Sequence, residues 1–196
     1  MRGLGHVVRG VERDPVPGEL ARSQGLDVHP GFCEALPEPI QAQSFDLVIM
    51  SHVFHNCIDP ALALHNVAGR LAPGGRLVCE VPNQACLGAR WAGAAWEHLD
   101  VPRQVNVFTQ RSLCRMIEQS ALQVEEVQWT QYCRQFGRET LEQERKKYDF
   151  FKARGAPRRS LPLKPSVLGR YGLLACSLFA QPHLKYDAMR VIARRP

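Results

Sequence analysis

The sequence predicts an α/β protein whose open sheet of mostly parallel strands is flanked by helices. Residues 44–50 (SFDLVIM) form a nearly continuous apolar run, typical of a parallel strand that is covered on both faces. A helix follows, because Asp59-Pro60 supplies an N-cap acid and a first-turn proline, and Pro73-Gly74-Gly75 ends the helical pattern. Residues 76–81 (RLVCEV) form the next strand, so strand, helix and strand alternate as in a parallel crossover unit.

The remaining elements continue this alternation along the chain. Strands are predicted where apolar or β-branched runs end at polar or turn residues, at residues 6–11, 25–28, 124–129 and 188–193. Helices are predicted where apolar residues recur at helical spacing, at residues 16–24, 109–120, 138–154 and 167–180.

These patterns divide the chain into a core and an insertion. We expect a core over residues 1–133, a basic helical insertion or lid over residues 134–187, and a last strand over residues 188–196 that completes the core. Within the insertion, the helix over 138–154 holds ten charged residues and is expected to be mostly solvated. The apolar segment over 167–180 is too short to span a bilayer, so we expect a docked helix or a flexible lid there rather than membrane contact.

The net charge of +6 is unevenly distributed. Residues 1–60 carry four arginines against eight acids, and residues 61–133 carry six of each. Residues 134–196 carry fifteen Lys/Arg against five acids. Such a basic segment suits an acidic small molecule, a membrane surface or a partner, and a merely solvated surface is an equal alternative.

Composition excludes several classes of protein and site. An apolar fraction of 45% is too high for a disordered chain, and no run of 18 uninterrupted apolar residues suggests a membrane-spanning helix. The chain begins without the apolar segment of a secretory signal, and its seven cysteines are scattered without a C-x-x-C pair. We therefore expect reduced thiols, a cytoplasmic location and no metal site.

Polar residues follow several predicted strands and mark a candidate ligand-binding rim. In open sheets of parallel strands, ligands bind beyond the carboxyl ends of the strands. The segments at those ends are Glu12–Asp14, Phe32–Glu34, Ser51–Asn56 and Pro82–Asn83.

Read in order, several segments of the chain resemble the class I S-adenosylmethionine-dependent methyltransferases. The segments that carry the resemblance are GVERDP, GFCEALP, SFDLVIMSHVFHNCIDP, LAPGGRLVCEVPN and WEHLDVPRQVNVFTQRSLCRMIEQSAL. They are most similar to the branch that includes ubiquinone-biosynthesis enzymes (methyltransferase types 11 and 23). The resemblance implies a Rossmann-like fold, S-adenosylmethionine as cofactor and a small-molecule methyl acceptor.

The resemblance also implies roles for residues of the rim. The cofactor-binding residues that it implies are Glu12, Arg13, Phe32, Cys33, Glu34, Ser51 and His52. Glu12 stands where the family binds the two ribose hydroxyls through a carboxylate, in charge-assisted hydrogen bonds of about 1.5–3 kcal/mol each. His52 and His55 are the candidates for a general base, because an imidazole titrates near neutral pH. His98 and Gln104 are further candidates on the acceptor side.

The sequence departs from the family pattern in three places. Phe32 stands where an acidic residue is usual, and His55-Asn56 replaces an acid-His pair. The family's glycine-rich loop and its strand have no counterpart ahead of residues 6–11, so we expect a chain that lacks about 30 residues, one β-loop-α unit. On this view two inner strands lose a neighbour, and we expect an unstable chain, poor cofactor binding or a sheet that closes in another way.

Three alternatives stay open. A non-catalytic methyltransferase-like subunit that binds a partner through its basic region would account for the missing loop and for Phe32. A nicotinamide-dependent enzyme shares the acid after the second strand but does not account for the Pro-Gly-Gly turn. The basic segment could bind nucleic-acid phosphates. The sequence has neither an N-P-P-Y-type motif nor a row of interleaved aromatic residues, so a nucleic-acid substrate is less favoured.

Overall fold

A computed structural model gives the fold of residues 5–131 and 136–196. The strands of this part of the chain are β1 (Arg9–Glu12), β2 (Asp27–Pro30), β3 (Phe45–Ser51), β4 (Leu71–Pro82), β5 (Gln123–Thr130) and β6 (Ala188–Arg194). Its α-helices are α1 (Pro15–Ser23), α2 (Glu38–Gln41), α3 (Pro60–Arg70), α4 (Leu87–Ala92), α5 (Gln110–Gln119), α6 (Arg138–Ala153), α7 (Val167–Leu178) and α8 (Pro182–Lys185). Cys133 and the expected boundary between residues 133 and 134 lie outside the described residues.

The described strands form two sheets. β1 pairs with β2 in parallel, and the second sheet has the order β3-β4-β6-β5. In that sheet β3 and β4 are parallel, whereas β6 runs antiparallel to β4 and to β5. The α/β class with mostly parallel strands is therefore confirmed, and β6 is the exception. Within the described ranges, β1 and β3 each have one strand neighbour and one open edge.

The main hydrophobic core lies where α3 and α5 cover the four-stranded sheet. Leu64 of α3 and Leu113 and Ile117 of α5 are fully buried, in one cluster with Leu77 of β4 and Val191 of β6. Burial of each such side chain contributes about 1.5–3 kcal/mol. This core holds the carboxyl ends of β3 and β4 at a fixed separation.

Local signals set the start of α3, but a long-range pairing sets its end. The Asp59 carboxylate accepts a hydrogen bond from the Leu62 N–H at 3.0 Å, as the sequence predicts. The expectation that Pro73-Gly74-Gly75 ends the helix is wrong, because Leu71 already pairs with Phe45 as the first residue of β4. The glycines instead bend β4 against the chain end: Gly74 has φ 78°, and its N–H donates to the Arg195 carbonyl at 3.0 Å.

One face of β3 is exposed, contrary to the expectation of a strand covered on both faces. Met50 is buried in the main core, whereas Leu47 and Ile49, which alternate with it, are exposed. The reason is that β3 is the edge strand of its sheet and only one of its faces meets the core.

Most side chains of α6 are exposed, as the sequence predicts, but a few charged side chains of the helix are buried or half-buried and bind its neighbours. Glu144 is fully buried, and its carboxylate accepts a hydrogen bond from the Arg170 guanidinium of α7. Lys147 donates to the backbone carbonyls of Glu97 at 2.9 Å and Leu99 at 3.0 Å, which ties α6 to the segment that follows α4. These contacts pack α6 against α7 and against the segment after α4.

None of the helices in the described ranges combines the length and the apolarity needed to cross a bilayer.

The Glu144–Arg170 pair predicts a pH-dependent stability. Burial raises the pKa of Glu144 from 4.5 to about 7, although the nearby Arg170 acts in the opposite direction. Between these values the folded protein keeps a proton that the unfolded chain has lost, so stability falls as the pH rises through this window. We expect the free energy of unfolding to fall by up to about 3 kcal/mol as the pH rises through this window. In Glu144→Gln, whose side chain does not titrate, this fall should be absent.

Urea unfolding of both proteins at about pH 5 and about pH 8 measures this difference. The control is Glu142→Gln. It changes an exposed carboxylate on α6 that is paired with Arg138, one helical turn away, and it should keep the wild-type pH dependence. An unaltered dependence in Glu144→Gln would contradict the assignment.

Candidate functional site

A buried carboxylate organises the edge of the sheet where β3, β4 and β5 end and β6 begins. Glu80, near the end of β4, receives hydrogen bonds from Arg190 of β6, with Nε at 2.9 Å and Nη2 at 2.8 Å. Thr130 at the end of β5 donates to the same carboxylate oxygen at 3.2 Å. Burial alone would raise the pKa of Glu80, but Arg190, His52 and Gln131 together hold it below its usual value. Glu80 is therefore an anion within the sheet edge.

His52 is fixed beside Glu80 by both its backbone and its ring. Its N–H donates to the Glu80 carbonyl at 2.9 Å, and its φ of 55° turns the chain away directly after β3. The ring Nε2 lies 3.2 Å from a Glu80 oxygen and 2.7 Å from the Gln131 side-chain nitrogen. A left-handed conformation in a residue other than glycine, held by such contacts, is a common feature of functional sites.

Three histidines meet at this edge. The ring centroid of His52 lies 6.0 Å from that of His55 and 6.5 Å from that of His98. His55 is buried, and burial together with the two neighbouring imidazoles lowers its pKa to about 4. His55 is therefore neutral near pH 7, and its Nδ1 has no hydrogen-bond partner within the described residues.

His98 is oriented by a buried aspartate. Its Nε2 lies 3.2 Å from Oδ2 of Asp187, which is fully buried directly before β6. Trp96 packs edge-on against the His98 ring at 5.0 Å. The other oxygen of Asp187, Oδ1, is buried and has no hydrogen-bond partner among the described residues.

Asn83 positions Asp187. Its side-chain amide donates to the carbonyls of His183 at 2.7 Å and Tyr186 at 2.8 Å, and its backbone N–H donates to the Asp187 carbonyl at 2.8 Å. Asn83, which directly follows β4, therefore fixes the segment that enters β6.

The expected ribose- and adenine-binding residues lie at the ends of β1 and β2. Glu12 ends β1, and one of its carboxylate oxygens accepts from the Asp14 N–H at 2.9 Å. Arg13 is exposed beside it, and the Phe32 side chain is half-exposed after β2. Glu34 is already engaged, since its carboxylate accepts from the Ile58 N–H at 2.7 Å.

Contacts from the β2 end reach the loop after β3. Asn66 of α3 donates to the carbonyls of Cys33 at 3.1 Å and Glu34 at 2.8 Å. The thiol of Cys33 interacts with that of Cys57, and this hydrogen bond lowers the pKa of Cys33 while it raises that of Cys57. Cys33 and Glu34 are thereby tied to the segment that carries His52 and His55.

The structure brings together only part of the predicted set. Ser51, His52 and His55 lie at the edge with Glu80, whereas Glu12, Arg13 and Phe32 lie on the other sheet. Gln104 is buried but is used locally, in a turn where its side-chain oxygen accepts from the Asp100 N–H at 3.3 Å.

Sequence reasoning missed several residues of the cluster. These are Glu80, Gln131, Asp187 and Arg190. A single acid within an apolar strand was the available signal for Glu80, and an acid directly before the last strand was the signal for Asp187.

Comparisons with known proteins agree with this architecture. A family model described as a methyltransferase domain matches residues 1–127. No curated protein matches the chain in sequence. The chain is similar in structure to an S-adenosylmethionine-dependent methyltransferase from Thermotoga maritima, described as a possible histamine N-methyltransferase, with a TM-score of 0.61 and 18% identity over 97% of this chain and 73% of that one.

Two further solved structures show the same fold. An S-adenosylmethionine-dependent methyltransferase from Archaeoglobus fulgidus has a TM-score of 0.60 and 14% identity, over 98% of this chain and 78% of that one. The cyclase SpnF has a TM-score of 0.56 and 17% identity, over 96% of this chain. This chain spans 65% of the length of SpnF. At these identities the likeness concerns the fold, and one fold hosts different reactions.

The role of Asn83 predicts a large effect on stability. Asn83→Ala removes the side-chain donor to the carbonyls of His183 and Tyr186, both in half-buried residues, and an unpaired group costs about 1–3 kcal/mol where it is buried. We expect a loss of about 2–4 kcal/mol in the free energy of unfolding, measured by urea denaturation.

The matched control is Asn56→Ala, because the Asn56 side chain donates to one carbonyl, that of His52, at 3.3 Å. It should cost less than half as much. Equal losses in the two variants would show that Asn83 has no special role in holding the β6 entry.

Proposed function

Because the chain belongs to the methyltransferase domain family, we propose that it transfers a methyl group from S-adenosylmethionine to a small molecule that loses a proton in the reaction. The observation that carries this proposal is the His98–Asp187 pair, which lies with His52 and His55 beyond the carboxyl ends of β3 and β4. This is the position where open α/β sheets bind their ligands. The absence of disulfides among the described cysteines supports a reducing compartment, the cytoplasm.

The residues at the ends of β1 and β2 fit the adenosine part of the cofactor. One Glu12 oxygen accepts the Asp14 N–H, and the carboxylate can offer its other oxygen to ribose hydroxyls. The half-exposed Phe32 ring supplies an apolar face for a purine. Ser51 and His52 would lie on the methionine side, next to the histidine cluster.

When bound, S-adenosylmethionine supplies a methyl carbon activated by a sulfonium. An acceptor oxygen or nitrogen that took this methyl group would have to give up a proton. Much of such catalysis comes from alignment, and a base accelerates the step further where deprotonation is required. The chain's own residues therefore have two tasks, to align the acceptor and to take its proton.

We assign the base to His98. With Nε2 directed at Asp187, the ring presents Nδ1 as the nitrogen that takes a proton. The Asp187 carboxylate, 3.2 Å from Nε2, holds the ring in this orientation. His55, which stays neutral, lies beside this pair, and its buried Nδ1 has no hydrogen-bond partner among the described residues.

His52 acts as a positioning residue in this proposal. Its place is set by Glu80 and Gln131, and its ring stacks over His98 at an interplanar angle of 13°. The two ring centroids are 6.5 Å apart, so His52 lies close to the ring that carries the proposed base.

The test of the base is His98→Gln, assayed for methyl transfer to a panel of small phenols, amines and carboxylic acids. We expect a loss of about 10²–10⁴-fold in kcat with little change in affinity for S-adenosylhomocysteine. The control is His65→Gln, an exposed histidine on α3, which should match the wild type. Cofactor-product binding without transfer to any acceptor would favour the non-catalytic subunit instead.

The test of the cofactor site is Glu12→Gln. Loss of a charge-assisted bond of about 1.5–3 kcal/mol should weaken binding of S-adenosylhomocysteine by about 10- to 100-fold, measured by a fluorescence titration. The control Glu19→Gln changes an exposed acid of α1 and should leave the affinity unchanged. If Glu12→Gln binds like the wild type, the ribose lies elsewhere.

A further inference from the structure

The helix α7 is oriented with its one charged side chain inward and most of its large apolar side chains outward, although Leu173 is buried. Arg170 is buried, whereas Leu168 is 82%, Tyr171 66% and Phe179, which follows the helix, 93% exposed. Val167 and Leu178 are exposed on the same outer surface. A surface helix normally shows the opposite arrangement.

Two contacts fix this orientation. Arg170 is held by the buried Glu144 carboxylate of α6. Gly169 packs so closely on Trp91 of α4 that a Cβ at this position would lie 2.7 Å from the indole ring. The helix therefore cannot rotate to bury Leu168 without breaking a buried ion pair and a close packing contact.

The outer face of α7 carries no charge. Arg170 is the sole ionisable Lys, Arg, Asp or Glu between residues 166 and 181, and it points inward. Twelve helical residues extend about 18 Å, which is far less than the roughly 30 Å of a hydrocarbon core. A helix of this length and polarity can lie in the plane of a membrane interface but cannot cross the membrane.

A basic pocket precedes α7. The pocket, of about 490 Å³, is lined by Lys152, Arg158 and Lys164 and by the exposed Leu163, which leads through Pro165 into the helix. Lys164 is paired with Asp149 at 2.8 Å. In the part of the chain that the structure describes, Lys152 and Arg158 are in no ion pair, so two cations remain for an anionic group.

We propose that the outer face of α7 and this basic pocket bind the surface of an anionic lipid bilayer. Leu168, Tyr171 and Phe179 would enter the interface, while Lys152 and Arg158 would meet lipid phosphates. A bilayer fits better than a protein partner, because the face combines exposed apolar side chains and one interfacial tyrosine, Tyr171, without any Lys, Arg, Asp or Glu, with a neighbouring excess of positive charge, fifteen Lys/Arg against five acids over residues 134–196. This surface is separate from the histidine cluster, so the inference does not depend on the proposed reaction.

Vesicle co-sedimentation tests the proposal. The full chain should bind phosphatidylcholine vesicles that contain about one third phosphatidylglycerol, and should bind pure phosphatidylcholine vesicles much more weakly. Leu168→Ser with Phe179→Ser should weaken binding more than tenfold. Lys152→Gln with Arg158→Gln should weaken it about fivefold per charge and remove the preference for the anionic lipid.

The matched control is Leu20→Ser, which removes a similarly exposed leucine from α1 and should leave vesicle binding unchanged. A second measurement locates the helix. A tryptophan introduced by Phe179→Trp should be quenched by brominated lipids, whereas one introduced by Leu20→Trp should not.

Three results would overturn the proposal. The first is equal binding of the serine variant and the wild type, and the second is no binding to either vesicle. The third is a protein that dimerises in sedimentation velocity and becomes monomeric in the serine variant, because the face would then join two copies of the chain.

Discussion

A buried negative charge on β4 has to be neutralised, and the site follows from that requirement. Glu80 lies near the end of an inner strand, where a carboxylate without partners would cost several kcal/mol. Its partners come from three other places: Arg190 on β6, Thr130 at the end of β5 and His52 after β3. These bonds bring the ends of all the strands of the larger sheet to one point. Glu80 fixes the position of the histidine cluster through its contacts with His52.

The same principle operates elsewhere in the molecule with different results. Asp187 is a second buried carboxylate at this edge, and it is left partly unsatisfied beside His98, which is a suitable arrangement for chemistry. Glu144 is a third, and its partner Arg170 is drawn inward so that α7 turns its apolar residues to the outside. Glu80 and Arg190 hold the sheet edge together, Asp187 orients the His98 ring, and Glu144 fixes the orientation of α7. Buried charged groups thus determine which side chains are exposed on the surface of α7 and how the site residues are oriented.

Much of the fold follows from local sequence, whereas most of the site does not. The Asp59 cap of α3 and the Thr109 cap of α5 act within three residues, so both helix starts could be predicted. The start of β4 could not, because it depends on pairing between Leu71 and Phe45. Arg190 and Glu80 are separated by 110 positions, and His98 and Asp187 by 89. No periodicity or motif links residues at such distances, so the sequence located the strand ends but not the partners that meet there.

The open edge of β3 has a consequence for how the protein behaves among other proteins. An edge strand presents unpaired backbone N–H and C=O groups, and β3 adds exposed Leu47 and Ile49 without a proline or lysine along its length. Natural sheets usually protect such an edge, because it can template the addition of a strand from another molecule. Within the described residues, the edge of β3 is therefore a place where an extended segment of another molecule can add to the sheet.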